Sequence, residues 1–130
     1  MNETSASTST PFETLDRETF MLLTTFRKDG TPMPTTVCFA RDGHRLFVLT
    51  APTTGKLKRI RATPNVTMAP SDWQGNVHGP TIEGKARVLE IEDEQTAASR
   101  VLDNKYGSSP QFMQIKGTMG GQAQFIEITE

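Results

Sequence analysis

The chain has 130 residues, 14 basic and 15 acidic, with a formal net charge of -1 and a hydrophobic fraction of 35%. That fits one domain, long enough to bury roughly two-thirds of the surface its unfolded form exposes, so its core needs no disulfide or metal. A single cysteine, Cys38, excludes an internal disulfide, and the only histidines, His44 and His78, show no Cys/His zinc spacing.

The Ser- and Thr-rich opening carries Glu3 and neither a basic residue nor an apolar run. It predicts a disordered arm over residues 1–11, ahead of a single domain over 12–130, and no signal peptide. No run of 18 apolar residues occurs, which predicts no membrane span, and the lone thiol suits a reducing, cytoplasmic compartment. Residues 14–19 predict a helical turn, with Thr14 as its cap and Phe12 as an apolar staple. Lys28-Asp29-Gly30 and Arg41-Asp42-Gly43 then punctuate three runs of strand formers, at 20–27, 33–40 and 45–51, an antiparallel meander.

Residues 54–63 predict a short helix anchored by Leu57 and Ile60 and stopped by Pro64. Three further strands are expected at 66–69, 81–91 and 123–129. In the second of these Ile82, Gly84, Ala86 and Val88 share one face, and Glu83, Lys85 and Arg87 the other. Residues 93–106 predict a second helix, with acids in its first turn, Ala98, Leu102 and Tyr106 at i+4 spacing, and Gly107 as its cap. Six strands with two or three helices favour an antiparallel β-barrel over an open sheet, because closure removes exposed edges.

Overall neutrality hides an asymmetry. Between His44 and Ser71 there is no acid, while Arg45, Lys56, Lys58, Arg59 and Arg61 give five positive charges, leaving 9 basic against 15 acidic residues elsewhere. A basic island on an acidic body suits a localised anion better than a long polyanion. Within it, Lys56 falls in the first turn of the short helix, where a cation opposes the helix dipole by about 0.3–1 kcal/mol. Free backbone N–H groups, the hydroxyls of Thr50, Thr53 and Thr54, and the ammonium groups of Lys56 and Lys58 are candidates to converge on one phosphate, with Gly55 allowing close approach. The alternative is a solvated surface helix. The glycine spacing matches neither a P-loop nor a Rossmann fingerprint.

The ordered set Asp29-Gly30-Thr31-Pro32, Val37-Cys38-Phe39, Leu46-Phe47-Val48-Leu49-Thr50, Lys56, Asn65-Val66-Thr67 and Glu83-Gly84-Lys85-Ala86 resembles the pyridoxamine 5'-phosphate oxidase-like split-barrel superfamily. Within it the chain is most similar to the branch that uses the deazaflavin coenzyme F420. The resemblance implies a six-stranded split β-barrel that dimerises with a second copy, with a cofactor in each of two grooves at the interface. It implies that Lys56 holds the cofactor phosphate, helped by the loop from Thr50 to Gly55, that Lys58 adds positive charge, and that Thr35, Thr36 and Val37 run along the ring system. FMN-using relatives commonly place a phosphate-binding arginine on that strand, and this chain has none between Met33 and Ala40.

The implied activity is hydride transfer between the deazaflavin and a conjugated small-molecule substrate, the protein supplying position and electrostatics. No catalytic residue and no Gly-x-Ser-x-Gly motif stands out. Candidate substrate residues are Cys38, Trp73 and His78. Each has a plainer reading: Cys38 as a buried small apolar residue without a cationic neighbour on its strand, Trp73 as a loop anchor, and His78 as a structural histidine. His44, in a turn, is expected to be solvated, and Phe112, Met113 and Met119 to pack a core or a dimer. An FMN-dependent enzyme of the same fold and a non-catalytic cofactor-binding protein are the competing readings. Nucleic acid is not expected, since no aromatics interleave with the basic residues of the short helix.

Overall fold

The structure, a computed structural model, describes residues 10–52, 55–119 and 122–130. Of the arm expected over 1–11, residues 1–9 lie outside the described residues, while Thr10 and Pro11 already belong to a 3-10 helix, Pro11–Leu15. Thr10, not Thr14, is its cap. The Thr10 hydroxyl accepts from the Phe12 N–H, the Glu13 carboxylate accepts from the Thr10 N–H, and Pro11 opens the turn. This reciprocal capping starts the helix ahead of the expected 14–19, and the Thr14 hydroxyl donates to the Pro11 carbonyl instead.

Six antiparallel strands follow: β1 Phe20–Phe26, β2 Pro32–Asp42, β3 Arg45–Thr50, β4 Asn65–Ser71, β5 Ile82–Leu89 and β6 Gln124–Thr129. They pair in the order β1-β2-β3-β6-β5-β4 and close into a barrel, β4 returning to β1 through Phe20↔Ser71 and Thr24↔Thr67. Gly30 and Gly43, at φ of 90° and 64°, supply the left-handed backbone that both turns of the β1-β2-β3 meander need.

Alternation along the strands sorts the side chains. Met21, Leu23, Val37, Phe39, Leu46, Val48, Val66, Met68, Ala86, Val88, Ile126 and Ile128 fill the interior. Phe12 and Leu15 join them at the end where β1 begins, and Leu57 and Ile60 of α1 (Gly55–Ala62) at the end where β3 finishes and β4 starts. Phe20, Cys38, Phe47, Leu49 and Leu89 face outward and meet Ala98, Leu102 and Tyr106 of α2 (Glu92–Tyr106) and Phe112 of α3 (Pro110–Gly117) in a second apolar layer.

α2 carries its expected acidic first turn and ends at Gly107, whose N–H donates to the Asp103 carbonyl at 2.8 Å. The third helix, α3, is started by the Ser109 hydroxyl and Pro110, and its Phe112 stacks on Tyr106 with ring centroids 4.4 Å apart, whereas Met113 is exposed. The Tyr106 hydroxyl pins α2 to the barrel: it donates toward the Thr19 and Phe39 carbonyls at 2.6 and 3.1 Å and accepts from the Phe39 N–H at 3.0 Å. Among the described residues no helix is long and apolar enough to cross a membrane, and no three His, Cys, Asp or Glu residues gather as a metal site.

Candidate functional site

α1 caps the barrel end through an apolar face two residues wide, Leu57 and Ile60, and the helical period brings Lys56 to that buried side with them. Lys56 is only 4% exposed, and its ammonium stands 3.5 Å from the hydroxyl of Thr50, itself buried at the end of β3. That separation is too long for a strong hydrogen bond, and a hydroxyl does not neutralise a charge. Burial pushes the Lys56 pKa down, and the nearby Arg59 guanidinium pushes it further; among the described residues no carboxylate acts in the opposite direction.

Arg59, one helical turn on, bends back over the start of α1. Its Nε donates to the Thr25 hydroxyl on the inner face of β1 at 2.7 Å, and a Cβ built on Gly55 would lie 2.7 Å from its Nη1. Gly55 therefore leaves room for the guanidinium at the head of the helix. Two cations, the positive end of a helix and the hydroxyls of Thr25 and Thr50 converge at one barrel end, an arrangement that attracts an anion.

The cationic set differs from the one expected. Lys58 is exposed on the outer side of α1, and it is Arg59 that joins Lys56. Arg61 points away and pairs with Glu90 at 3.5 Å. Thr53 and Thr54 lie outside the described residues. The signal that was available for Arg59 is its i+3 spacing from Lys56 beside a glycine; what sequence could not show is that Thr25 would be waiting across the barrel end.

On β2 the strand alternation divides the expected ring-facing residues. Thr35 pairs with the core residue Leu23 and Val37 with Met21, so both occupy inward register positions; the Val37 side chain belongs to the barrel core and offers an outside ligand only its backbone. Thr36 faces outward beside Leu22, half-buried, under the loop that joins β4 to β5. In that loop the Asp72 carboxylate accepts from the Asn76 backbone and side-chain N–H groups, each at 2.9 Å, and a Cβ on Gly75 would meet the Thr36 hydroxyl at 3.4 Å. Trp73, 41% exposed, leans on Phe20 with centroids 4.9 Å apart. It anchors the loop and also leaves much of its ring open.

Cys38 and His78 are placed differently. Cys38 is buried beneath Tyr106, and burial raises its thiol to about 11, with Lys105 of α2 as the cationic neighbour that its own strand lacks. An inert, packed thiol is the outcome. His78 is exposed and its Nε2 lies 2.6 Å from Glu18, which ties the loop to the segment before β1. His44 is exposed as expected, with Glu130 at 3.0 Å. Clefts of about 560, 420 and 260 Å³ lie elsewhere, lined respectively around Phe26 and Lys85, Phe39 and Lys105, and Phe47 and Glu127.

The family model described as pyridoxamine 5'-phosphate oxidase matches residues 12–129. No curated protein matches the chain. Among solved structures, one called F420 reductase is similar with a TM-score of 0.58 at 22% identity, covering 91% of this chain and 90% of that one. An FAD-binding protein of Mesorhizobium loti is similar with a TM-score of 0.64 at 14% identity, covering 99% and 87%. HutZ, the haem-storage protein of Vibrio cholerae, has a TM-score of 0.64 at 15% identity, covering 87% and 82%. At such identities the likeness is one of fold.

Proposed function

We propose, since the chain belongs to the pyridoxamine 5'-phosphate oxidase family, that it is an oxidoreductase that docks the phosphate of a flavin-type cofactor, coenzyme F420 in the first instance, at the start of α1. One observation carries this: Lys56 is buried beside Arg59 and the helix start, and among the described residues no carboxylate answers its charge. The residues fit a phosphate, which is small, anionic and rich in acceptors. Lys56 and Arg59 would hold it, Thr25 and Thr50 would orient its oxygens, and Gly55 leaves room for the Arg59 guanidinium at the helix start.

From that barrel end the outer face of β1 and β2 leads to Thr36, four residues along the strand from Pro32, or roughly 13 Å at ordinary strand rise. Leu22, Thr36 and the open face of Trp73 supply a mostly apolar wall on which a planar ring can lie. When bound, the cofactor supplies the hydride chemistry. This chain positions it, shields one ring face from water and leaves the other for a conjugated small-molecule substrate. A second copy of the chain is proposed to complete that other side.

An FMN-dependent reaction is the second reading, and a specific observation favours it. Two cations, the buried Lys56 and the half-buried Arg59, match the double negative charge of a phosphate monoester, and Arg61, engaged by Glu90, is turned away from any longer anionic tail. Titration of the purified protein with F420 and with FMN, followed by fluorescence, separates the two. Lys56→Ala is expected to weaken the true cofactor about tenfold to a hundredfold, the cost of one charge-assisted contact. Arg61→Ala is expected to leave FMN binding unchanged. Unaltered affinity in Lys56→Ala rejects the assigned phosphate site for either cofactor.

A further inference from the structure

Toward the other barrel end, where β2 runs to its turn with β3, a cleft of about 420 Å³ opens between the segment before β1, the second half of β2 and α2. Its lining is apolar at Leu15, Phe39, Ala40 and Val101, and Lys105 enters from α2. Although Lys105 as a residue is exposed, its ammonium is drawn down onto the protein, 3.5 Å from the centroid of the Phe39 ring and 2.8 Å from the Phe39 carbonyl. Arg41, the cleft's other cation, is paired with Asp16: its Nε and Nη2 hold that carboxylate at 2.6 and 2.8 Å, and its Nη1 donates to the Gly43 carbonyl. With that charge answered by Asp16, and with the Asp16 and Asp42 carboxylates themselves in the lining, the cleft favours an uncharged ligand over an anion.

We propose that this cleft binds small uncharged aldehydes and captures them reversibly on the Lys105 amine. The lysine nitrogen adds its lone pair to the carbonyl carbon, forming a C–N bond; the resulting carbinolamine loses water and becomes an imine, and hydrolysis restores both partners. No oxidant or second reactant enters the balance. A neutral amine keeps two N–H groups, so it can stay bonded to the Phe39 carbonyl while its lone pair faces the cleft.

Burial brings the Lys105 pKa down to about 8, so a sizeable fraction of the amine is unprotonated near neutral pH. Asp16 and Glu18, ahead of β1, and Cys38, on β2, act the other way. Of these, the Cys38 thiol stays protonated near neutrality, its own pKa being raised to about 11. Asp42 and Arg41 complete the charged lining. An ordinary surface lysine, with a pKa near 10.4, is almost wholly protonated under the same conditions.

The test is reductive trapping: the full-length protein is treated with propionaldehyde and sodium cyanoborohydride at about pH 7.5, and each lysine is followed by peptide mass spectrometry. Lys105 is expected to be modified at least about tenfold faster than Lys28, Lys58 and Lys85, from its larger unprotonated fraction, with a rate that saturates in aldehyde. Asn104→Trp, which crowds the cleft mouth from the exposed side of α2, is expected to slow Lys105 alone. Modification of Lys105 no faster than Lys28, Lys58 and Lys85 overturns the proposal. So does a rate that rises linearly with aldehyde and ignores Asn104→Trp, because the lysine is then merely reactive and the cleft binds nothing.

Discussion

Two pairs of cations in this molecule meet opposite circumstances. Arg45 and Arg87 flank the buried carboxylate of Glu127 at 3.1 and 2.9 Å, with Asp42 and Glu94 completing the set. Their charges are answered inside the fold, and those carboxylates hold both guanidiniums above their usual pKa range. Lys56 and Arg59 meet hydroxyls in place of carboxylates, and the Lys56 pKa is pushed down, by burial first and Arg59 second. The first group stitches β3, β6, β5 and α2 together. The second holds positive charge at the end of a barrel with no carboxylate partner among the described residues, the arrangement on which the proposed phosphate site rests.

The contrast can be broken at either group. Glu127→Ala leaves two guanidiniums facing each other across β6 and is expected to cost about 2–3 kcal/mol in urea denaturation. That is less than the about 3–5 kcal/mol of a fully buried broken pair, because both arginines are half exposed. Lys56→Met is expected to go the other way without ligand, raising stability by up to about 1 kcal/mol as a desolvated charge is replaced by an apolar chain of similar length. A loss of stability in Lys56→Met without ligand means its charge is already answered, and the contrast fails.

The smallest effect sharpens the comparison through pH. Lys105, at about 8, and Lys56, also lowered, release protons in the folded state before the unfolded chain does. The unfolded state therefore binds more protons from about pH 8 upward, and stability rises with pH there. Cys38 acts oppositely: folded at about 11 against an ordinary 9.0, it keeps its proton in the native state, so its contribution is lost as pH climbs beyond 9.0. The melting temperature is expected to rise between about pH 7.5 and 9, then flatten or fall. Bound phosphate ligand is expected to remove the Lys56 share of that rise, leaving the Lys105 share.

Much of the barrel was legible because it rests on local chemistry. The Asp-Gly turns, the two-residue alternation of β5 and the Gly107 cap each specify their own geometry within a few residues. The 3-10 helix begins ahead of the expected turn because Thr10 and Glu13 cap each other. Lys56 was legible as a cation misplaced against its helix dipole. Arg59 was legible only as one charge of the basic island, because its partner Thr25 lies 34 residues earlier and meets it only after the barrel closes. The same holds for Cys38, whose cationic neighbour Lys105 arrives from a helix 66 residues beyond Phe39.

Because β4 returns to β1, all six strands have hydrogen-bonded neighbours on both sides. A second molecule is thus denied the backbone ladder by which sheets extend and polymerise. Recognition falls to the curved outer wall and the two plugged mouths. There a single substitution alters fit without unzipping the cylinder, so affinity for a new guest can drift while the frame endures.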